Sequence, residues 1–271
     1  MSQNPAHRAH NHTRRRSLPH IPTLGSTCFH IRNELGLSRA VAQQRHGIST
    51  SYLADIETDR TTPKPETLEK LIAGYDLDAM RTRHLRELRA PAEHLPTADS
   101  LRRCVHDNLG LMTYLRDLEK RDLFAAYVDP TWNLLASTDG FRSLLTGIGE
   151  NGNVRAWMFS PHARVVLPDW AYEASRTVAV VRGVLGLYRD SEQARDLMRQ
   201  LRPNRDFQRL WNSSTQVAYG RHVNDLLHRR DHYTNELASY RISIADLTQN
   251  QHVQLVTAIR QPYSGPDPTD H

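Results

Sequence analysis

Apolar residues at Leu37, Val41 and Ala42, and again at Ile48, Leu53 and Ile56, recur at the three-and-four spacing of a helix face on either side of His46-Gly47-Ile48. The spacing predicts two short helices packed across a tight turn. Gly47 supplies left-handed backbone to end the first, and Ser49 caps the second by accepting from the free amides of its first turn. Upstream, a helix is expected over Leu24 to Glu34, with Leu24, Phe29 or Cys28, Ile31 and Leu35 facing inward and Gly36 closing it. Downstream, the turn-rich run Thr58 to Lys64 precedes Pro65, which opens a fourth helix carrying Leu68, Leu71, Ile72 and Tyr75, and Leu77 to Leu88 gives a fifth. Residues 23–90 therefore read as an all-α unit of five helices.

The pattern changes after a linker at 91–100, where two prolines stand among small polar residues. Residues 101–118 carry Leu101, Val105, Leu109, Met112, Leu115 and Leu118 on one stripe and predict a single amphipathic helix. Short apolar runs from Leu123 to Val128 and from Trp132 to Ser137 flank Asp129-Pro130-Thr131 and predict a hairpin. Helices are expected at Asp139 to Leu145, at Val154 to Phe159, from Pro168 or Asp169 to about Tyr188, from Ser191 to Leu201 and at Asp206 to Trp211, with a turn at Pro161 to Arg164. Gln216 to Leu227, Ala238 to Leu247 and His252 to Arg260 have the period-two or β-branched patterns of an antiparallel sheet. Residues 101–262 thus predict an α+β unit, and the chain as a whole is α+β. Residues 1–22 hold Arg8, Arg14, Arg15 and Arg16 and no acid, which predicts a disordered basic tail. Arg14 to Arg16 read either as an arm along a DNA groove or as a solvated leader. Residues 263–271 are expected to form a flexible C-terminal tail.

Composition narrows the function. The 271 residues suffice for two domains, and 35 basic against 30 acidic residues give a net charge of +5, which suits a polyanion without requiring one. Cys28 and Cys104 are the only cysteines, so neither a disulfide framework nor a zinc ribbon is indicated. The absence of an apolar run of membrane-spanning length and of a signal-peptide core predicts a cytoplasmic location. Gly147 to Gly152 spells a GxGxxG motif but follows a helix instead of a strand, so a surface loop is expected. His228 and His232 are four apart, but Tyr233 to Glu236 reads as a turn between strands, so they share no helix face, which argues against a metal site. With no catalytic triad order and no phosphate loop, neither an enzyme nor a cofactor is expected.

The first unit resembles the XRE-type, lambda-repressor-like helix-turn-helix family. The resemblance rests on Arg32-Asn33-Glu34-Leu35-Gly36-Leu37-Ser38, Val41-Ala42, Gly47-Ile48-Ser49, Tyr52-Leu53, Ile56-Glu57, Arg60 and Pro63-Lys64-Pro65. It implies a structural ion pair between Arg32 and Glu57. In such a motif the start of the third helix enters the major groove while neighbouring loops meet phosphates. Ser49, Thr50 and Ser51 are then the base-reading candidates. Tyr52 either reaches a base or packs on the backbone. Arg39, Arg45, Arg60 and Lys64 are the phosphate candidates.

The second unit resembles the MmyB-like domain that actinobacterial XRE-type regulators often carry. The matching blocks are Ala126 to Asp129 with Trp132 to Ala136, Asn153 to Arg155, Phe159 to Arg164, Leu167 to Trp170 and Asp206 to Trp211. The resemblance implies a PAS-like fold with a five-stranded sheet around an apolar cavity for a fatty-acid-like or other small hydrophobic ligand. Trp132, Trp157, Phe159, Trp170, Tyr172 and Trp211 either line that cavity or are ordinary core. The expected partners are double-stranded DNA, such a ligand and a second copy of the chain. The function expected is sequence-specific transcription regulation; the rival readings are a helix-turn-helix protein whose second domain only binds another protein, and an enzyme acting on a small molecule there.

Overall fold

The computed structural model describes residues 18–266 except Val223. Helices α1 (Leu24–Glu34), α2 (Arg39–His46), α3 (Thr50–Glu57), α4 (Pro65–Gly74) and α5 (Ala79–Arg89) form the first domain. Polar side chains satisfy the amides at four of their starts: Thr23 accepts from Ser26, Ser38 from Val41, Ser49 from Tyr52 and Asp78 from Arg81. α4 starts instead on Pro65, which has no amide to satisfy. Gly36 and Gly47, at φ 68° and 70°, turn the chain out of α1 and α2. Cys28, Ile31, Leu53, Ile56, Leu71 and Leu85 fill the core, each burial contributing roughly 1.5–3 kcal/mol for a Leu-sized side chain. Cys28, not Phe29, takes the inward place on α1. Phe29 is exposed, and so, against expectation, are Leu35 and Val41.

The second domain comprises α6 (Ala98–Asp107), α7 (Leu109–Glu119), β1 (Phe124–Val128), β2 (Leu134–Ser137), α8 (Asp139–Leu144), α9 (Val154–Trp157), α10 (Pro161–Val166), α11 (Trp170–Leu187), α12 (Glu192–Leu201), α13 (Arg205–Ser213), β3 (Leu227–Arg230), β4 (Leu237–Leu247) and β5 (Asn250–Gln261). The strands form one five-stranded antiparallel sheet of order β2-β1-β5-β4-β3, which with its helices makes the α+β unit expected. Successive residues of a strand point to opposite faces, and both faces of β1 are covered. Ala126 and Val128 join the large core under α8 to α13, whereas Ala125 and Tyr127 join a second core with Leu101, Leu115, Tyr188 and Val253.

Three expectations are corrected. The helix expected over 101–118 is two, because Asn108 adopts extended backbone and turns its side chain back to accept from Gly110 and Leu111. That break swings Leu109 out of the stripe, to 79% exposure. The turn expected at Pro161 to Arg164 is helical, with Ser160 accepting from Ala163 and Pro161 at the first position. The strand expected over Gln216 to Leu227 begins only at Leu227. The preceding segment hydrogen-bonds to α11 instead of to a ladder: Ala218 donates to the Ala179 carbonyl, and the carbonyls of Gln216 and Gly220 accept from Arg182 and Arg176.

The chain ends differ from the expected tails over the few residues described there. Pro19 and Pro22 are buried and Ile21 packs against the large core of the second domain. Tyr263 lies 5.5 Å from the His228 ring, and the Ser264 amide donates to Ser239. Arg8, Arg14, Arg15 and Arg16 lie outside the described residues. No helix among the described residues is long and apolar enough to cross a membrane.

Candidate functional site

The turn between α2 and α3 presents one polar surface. Gly47 closes α2 by donating to the Gln43 carbonyl, and Ser49 caps α3 by accepting from Tyr52 at 3.3 Å. His46 braces the turn from inside. Its Nδ1 accepts from the Ile48 amide at 3.1 Å, its ring meets Tyr75 edge-on, and burial lowers its pKa. A Cβ on Gly74 would come within 2.7 Å of the His46 side chain, so α4 needs glycine there to approach α2. Ser49, Thr50 and Ser51 stand exposed at the outer end of α3, while Tyr52 is half-buried against the first core.

The four phosphate candidates are not equivalent. Arg45 and Lys64 are exposed and make no side-chain hydrogen bond or ion pair among the described residues, leaving both charges available. Arg60 stands 3.6 Å from Asp55 and is mostly exposed, a pairing of little energetic weight. Arg39 is held against the protein, both Nε and Nη2 lying 2.8 Å from the fully buried Glu57 carboxylate. Glu57 also receives Arg32, which adds a bond to the Leu37 carbonyl at 2.7 Å and whose pKa Glu57 raises. The expected Arg32–Glu57 pair is therefore present, and Arg39 makes it a triad joining α1, α2 and α3.

In the second domain the expected aromatic residues separate. Trp157, Phe159 and Trp211 are buried in the large core, with Phe159 meeting Phe207 edge-on and Trp211 tilted against it. Trp132 and Trp170 are half-buried at its margin. The indoles of Trp157 and Trp170 donate to the carbonyls of Thr146 and Met158 at 2.9 and 2.8 Å. Tyr172 lies outside this group, exposed on α11 beside Asp225, which raises its pKa after desolvation.

Two arrangements escaped the sequence. One is the seam between the domains, where α5 packs on α11. His84 is fully buried there, close enough to α11 that a Cβ on Gly186 would lie 2.4 Å from its ring. Neither His84 nitrogen has a partner among the described residues, and burial followed by the charges of Arg182 and Arg189 pushes its pKa down to about 3. Around it, Tyr219 donates to Glu87, the Arg83 guanidinium lies 3.7 Å from the Tyr219 ring centroid, Arg189 donates to the Ala90 carbonyl, and Thr215 donates to Glu34. A cleft of about 510 Å³ opens along this seam between Arg83, Tyr188, Tyr219 and Gln251. The other is a knot of buried polar groups around Asp129, Asn133 and Asn153, whose members lie up to 24 residues apart and announce themselves by no spacing.

A family model described as the MmyB-like transcription regulator ligand binding domain matches residues 110–264, more than half of the chain. A model described as a helix-turn-helix domain matches residues 24–85. No individual curated protein matches the chain.

Proposed function

The chain belongs to the family defined by the MmyB-like transcription regulator ligand binding domain, and from that premise we propose a sequence-specific regulator whose DNA affinity is set by a small hydrophobic ligand in the second domain. That it is a DNA-binding transcription regulator with a ligand-binding domain follows from the two matches. The finer reading rests chiefly on one observation: Ser49, Thr50 and Ser51 are exposed, while the contact to α11 is carried by another helix, α5. The residues that would read bases are left uncovered. In this reading the helix-turn-helix is of the XRE type and binds as a homodimer in the cytoplasm, since one module spans about half an operator. The second domain is PAS-like and performs no catalysis. A fatty-acid-like ligand changes DNA affinity only by as much as it prefers one setting of the α5–α11 seam over another.

Two measurements test this reading. Fatty acids should displace a hydrophobic dye from the purified protein and change its affinity for a selected genomic fragment; displacement with no change in DNA affinity would uncouple the domains. Footprinting should show two protected half-sites about one helical turn apart, and a single half-site would remove the homodimer. The rival reading, a second domain that only binds another protein, gains ground if no dye is displaced.

A further inference from the structure

His46 ends α2 and is buried. The backbone of the following turn is built on its ring: Nδ1 accepts from the Ile48 amide at 3.1 Å, and that amide has no other partner among the described residues. Gly47, between the two, takes left-handed backbone at φ 70°, and Ser49, next after Ile48, is the cap of α3. One imidazole nitrogen thus links the end of α2 to the first exposed residue of the base-reading turn. The ring is held from the side of α4 as well. Tyr75, which ends α4, meets it edge-on with 5.6 Å between centroids, and a Cβ on Gly74 would come within 2.7 Å of the His46 Cβ.

Accepting through Nδ1 fixes the protonation state along with the position. A neutral imidazole has one acceptor nitrogen and one donor, whereas an imidazolium has two donors. With Nδ1 engaged by Ile48, the neutral ring carries its proton on Nε2, which is buried, as is the Tyr75 hydroxyl; neither has a partner among the described residues. A proton on Nδ1 would set N–H against N–H and leave the buried Ile48 amide unmet. The ionisable groups around the His46–Tyr75 pair are Cys28 and Arg32 from α1, Arg39 from α2 and Glu57 from α3. Glu57 favours the charged ring, but Arg32 and Arg39 already share it. Burial outweighs it and lowers the His46 pKa below the ordinary 6.5.

We propose that His46 is the positioning residue of the recognition helix, and that Ser49, Thr50 and Ser51 are held for base readout only while its Nδ1 carries no proton. The inference rests on the DNA-reading face proposed above and adds the residue that sets it. Two parts of binding then respond to acid in opposite ways. Phosphate attraction at Arg45 and Lys64 does not depend on the setting of α3, and protons added to histidines strengthen it. Base readout does depend on that setting. The neutral ring predominates above its pKa, so selectivity is full at neutral pH and declines as pH falls through a value below 6.5.

Fluorescence anisotropy of the full chain tests this with two duplexes of equal length, one selected from the source genome and one scrambled. The titration runs from about pH 7.5 to about pH 5 at fixed ionic strength, with the fold followed by circular dichroism. The wild type should lose selectivity by about tenfold or more, the worth of one unmet buried hydrogen bond, while affinity for the scrambled duplex holds or rises. His46→Asn, whose amide oxygen stands in for Nδ1 but does not titrate, should stay selective with a flat pH profile. His46→Leu, which occupies the space without an acceptor, should lose selectivity at every pH yet still bind the scrambled duplex. Should His46→Leu fail to fold, wild type against His46→Asn still decides. Selectivity independent of pH in the folded wild type, a parallel fall for both duplexes, or an equally steep profile in His46→Asn would overturn the assignment and leave DNA reading in place. So would loss of selectivity in folded His46→Asn, or wild-type selectivity in folded His46→Leu. A wild type with no selectivity at about pH 7.5 would remove the DNA reading, and this inference with it.

Discussion

The two domains place their positive charges in opposite ways. Arg45 near the end of α2 and Lys64 before α4 are exposed with no partner among the described residues, whereas in the second domain Arg182 and Arg229 are drawn inside and tie loops together through backbone carbonyls. An exposed, unpaired cation has little effect on folding and is free to meet phosphate. A buried one holds its surroundings in place and is costly to disturb. Arg32 and Arg39 show the second behaviour inside the first domain, since both converge on Glu57. The same residue type therefore serves architecture or recognition according to whether an acceptor lies within reach.

The largest expected effect comes from breaking the triad. Glu57→Ala leaves Arg32 buried without its carboxylate and should destabilise the first domain by about 3–5 kcal/mol, seen as a lowered melting transition. A loss under about 1 kcal/mol would place the triad among surface pairs. Next comes the seam. His84 is held neutral in the fold, with a pKa of about 3 against 6.5 when unfolded. At high pH neither state binds the proton; as pH falls from 6.5 towards 3 the unfolded chain protonates first, so stability is lost over that window. His84→Leu should make the acid side of the stability profile shallower, and parallel wild-type and variant profiles would mean that the seam opens before the histidine titrates.

Smaller effects separate the two kinds of DNA contact. Thr50→Ala or Ser51→Ala should relax preference at particular base pairs, by about 1 kcal/mol or somewhat more each, with no change in melting. Arg45→Ala and Lys64→Ala should weaken binding to every sequence alike and lower the salt slope by about one unit each. Arg39→Ala should instead lower stability, because its guanidinium is engaged by Glu57.

Periodicity located the helices of the first domain well because local signals agree there. α1 runs over the residues expected of it, and Gly47, Ser49 and Pro65 occupy the positions their chemistry predicts. The Arg32–Glu57 pair was accessible only through resemblance, since its partners lie 25 residues apart. In the second domain Asn108 splits an apparently continuous stripe because one side-chain cap outweighs the hydrophobic spacing. The segment from Gln216 alternates like a strand yet lies along α11, where arginine donors take its carbonyls.

The central claim is that the outward polar face at the start of α3 reads duplex DNA, with Arg45 and Lys64 beside it on phosphates. Salt-dependent binding of the full chain and of the Arg45→Ala/Lys64→Ala double variant to fragments selected from the source genome tests it most directly. A wild-type preference for particular fragments, with a salt slope falling by about two units in the double variant and the same sequences still preferred, is the expected result. Equal binding to selected and random fragments, or a slope that does not change, would contradict it.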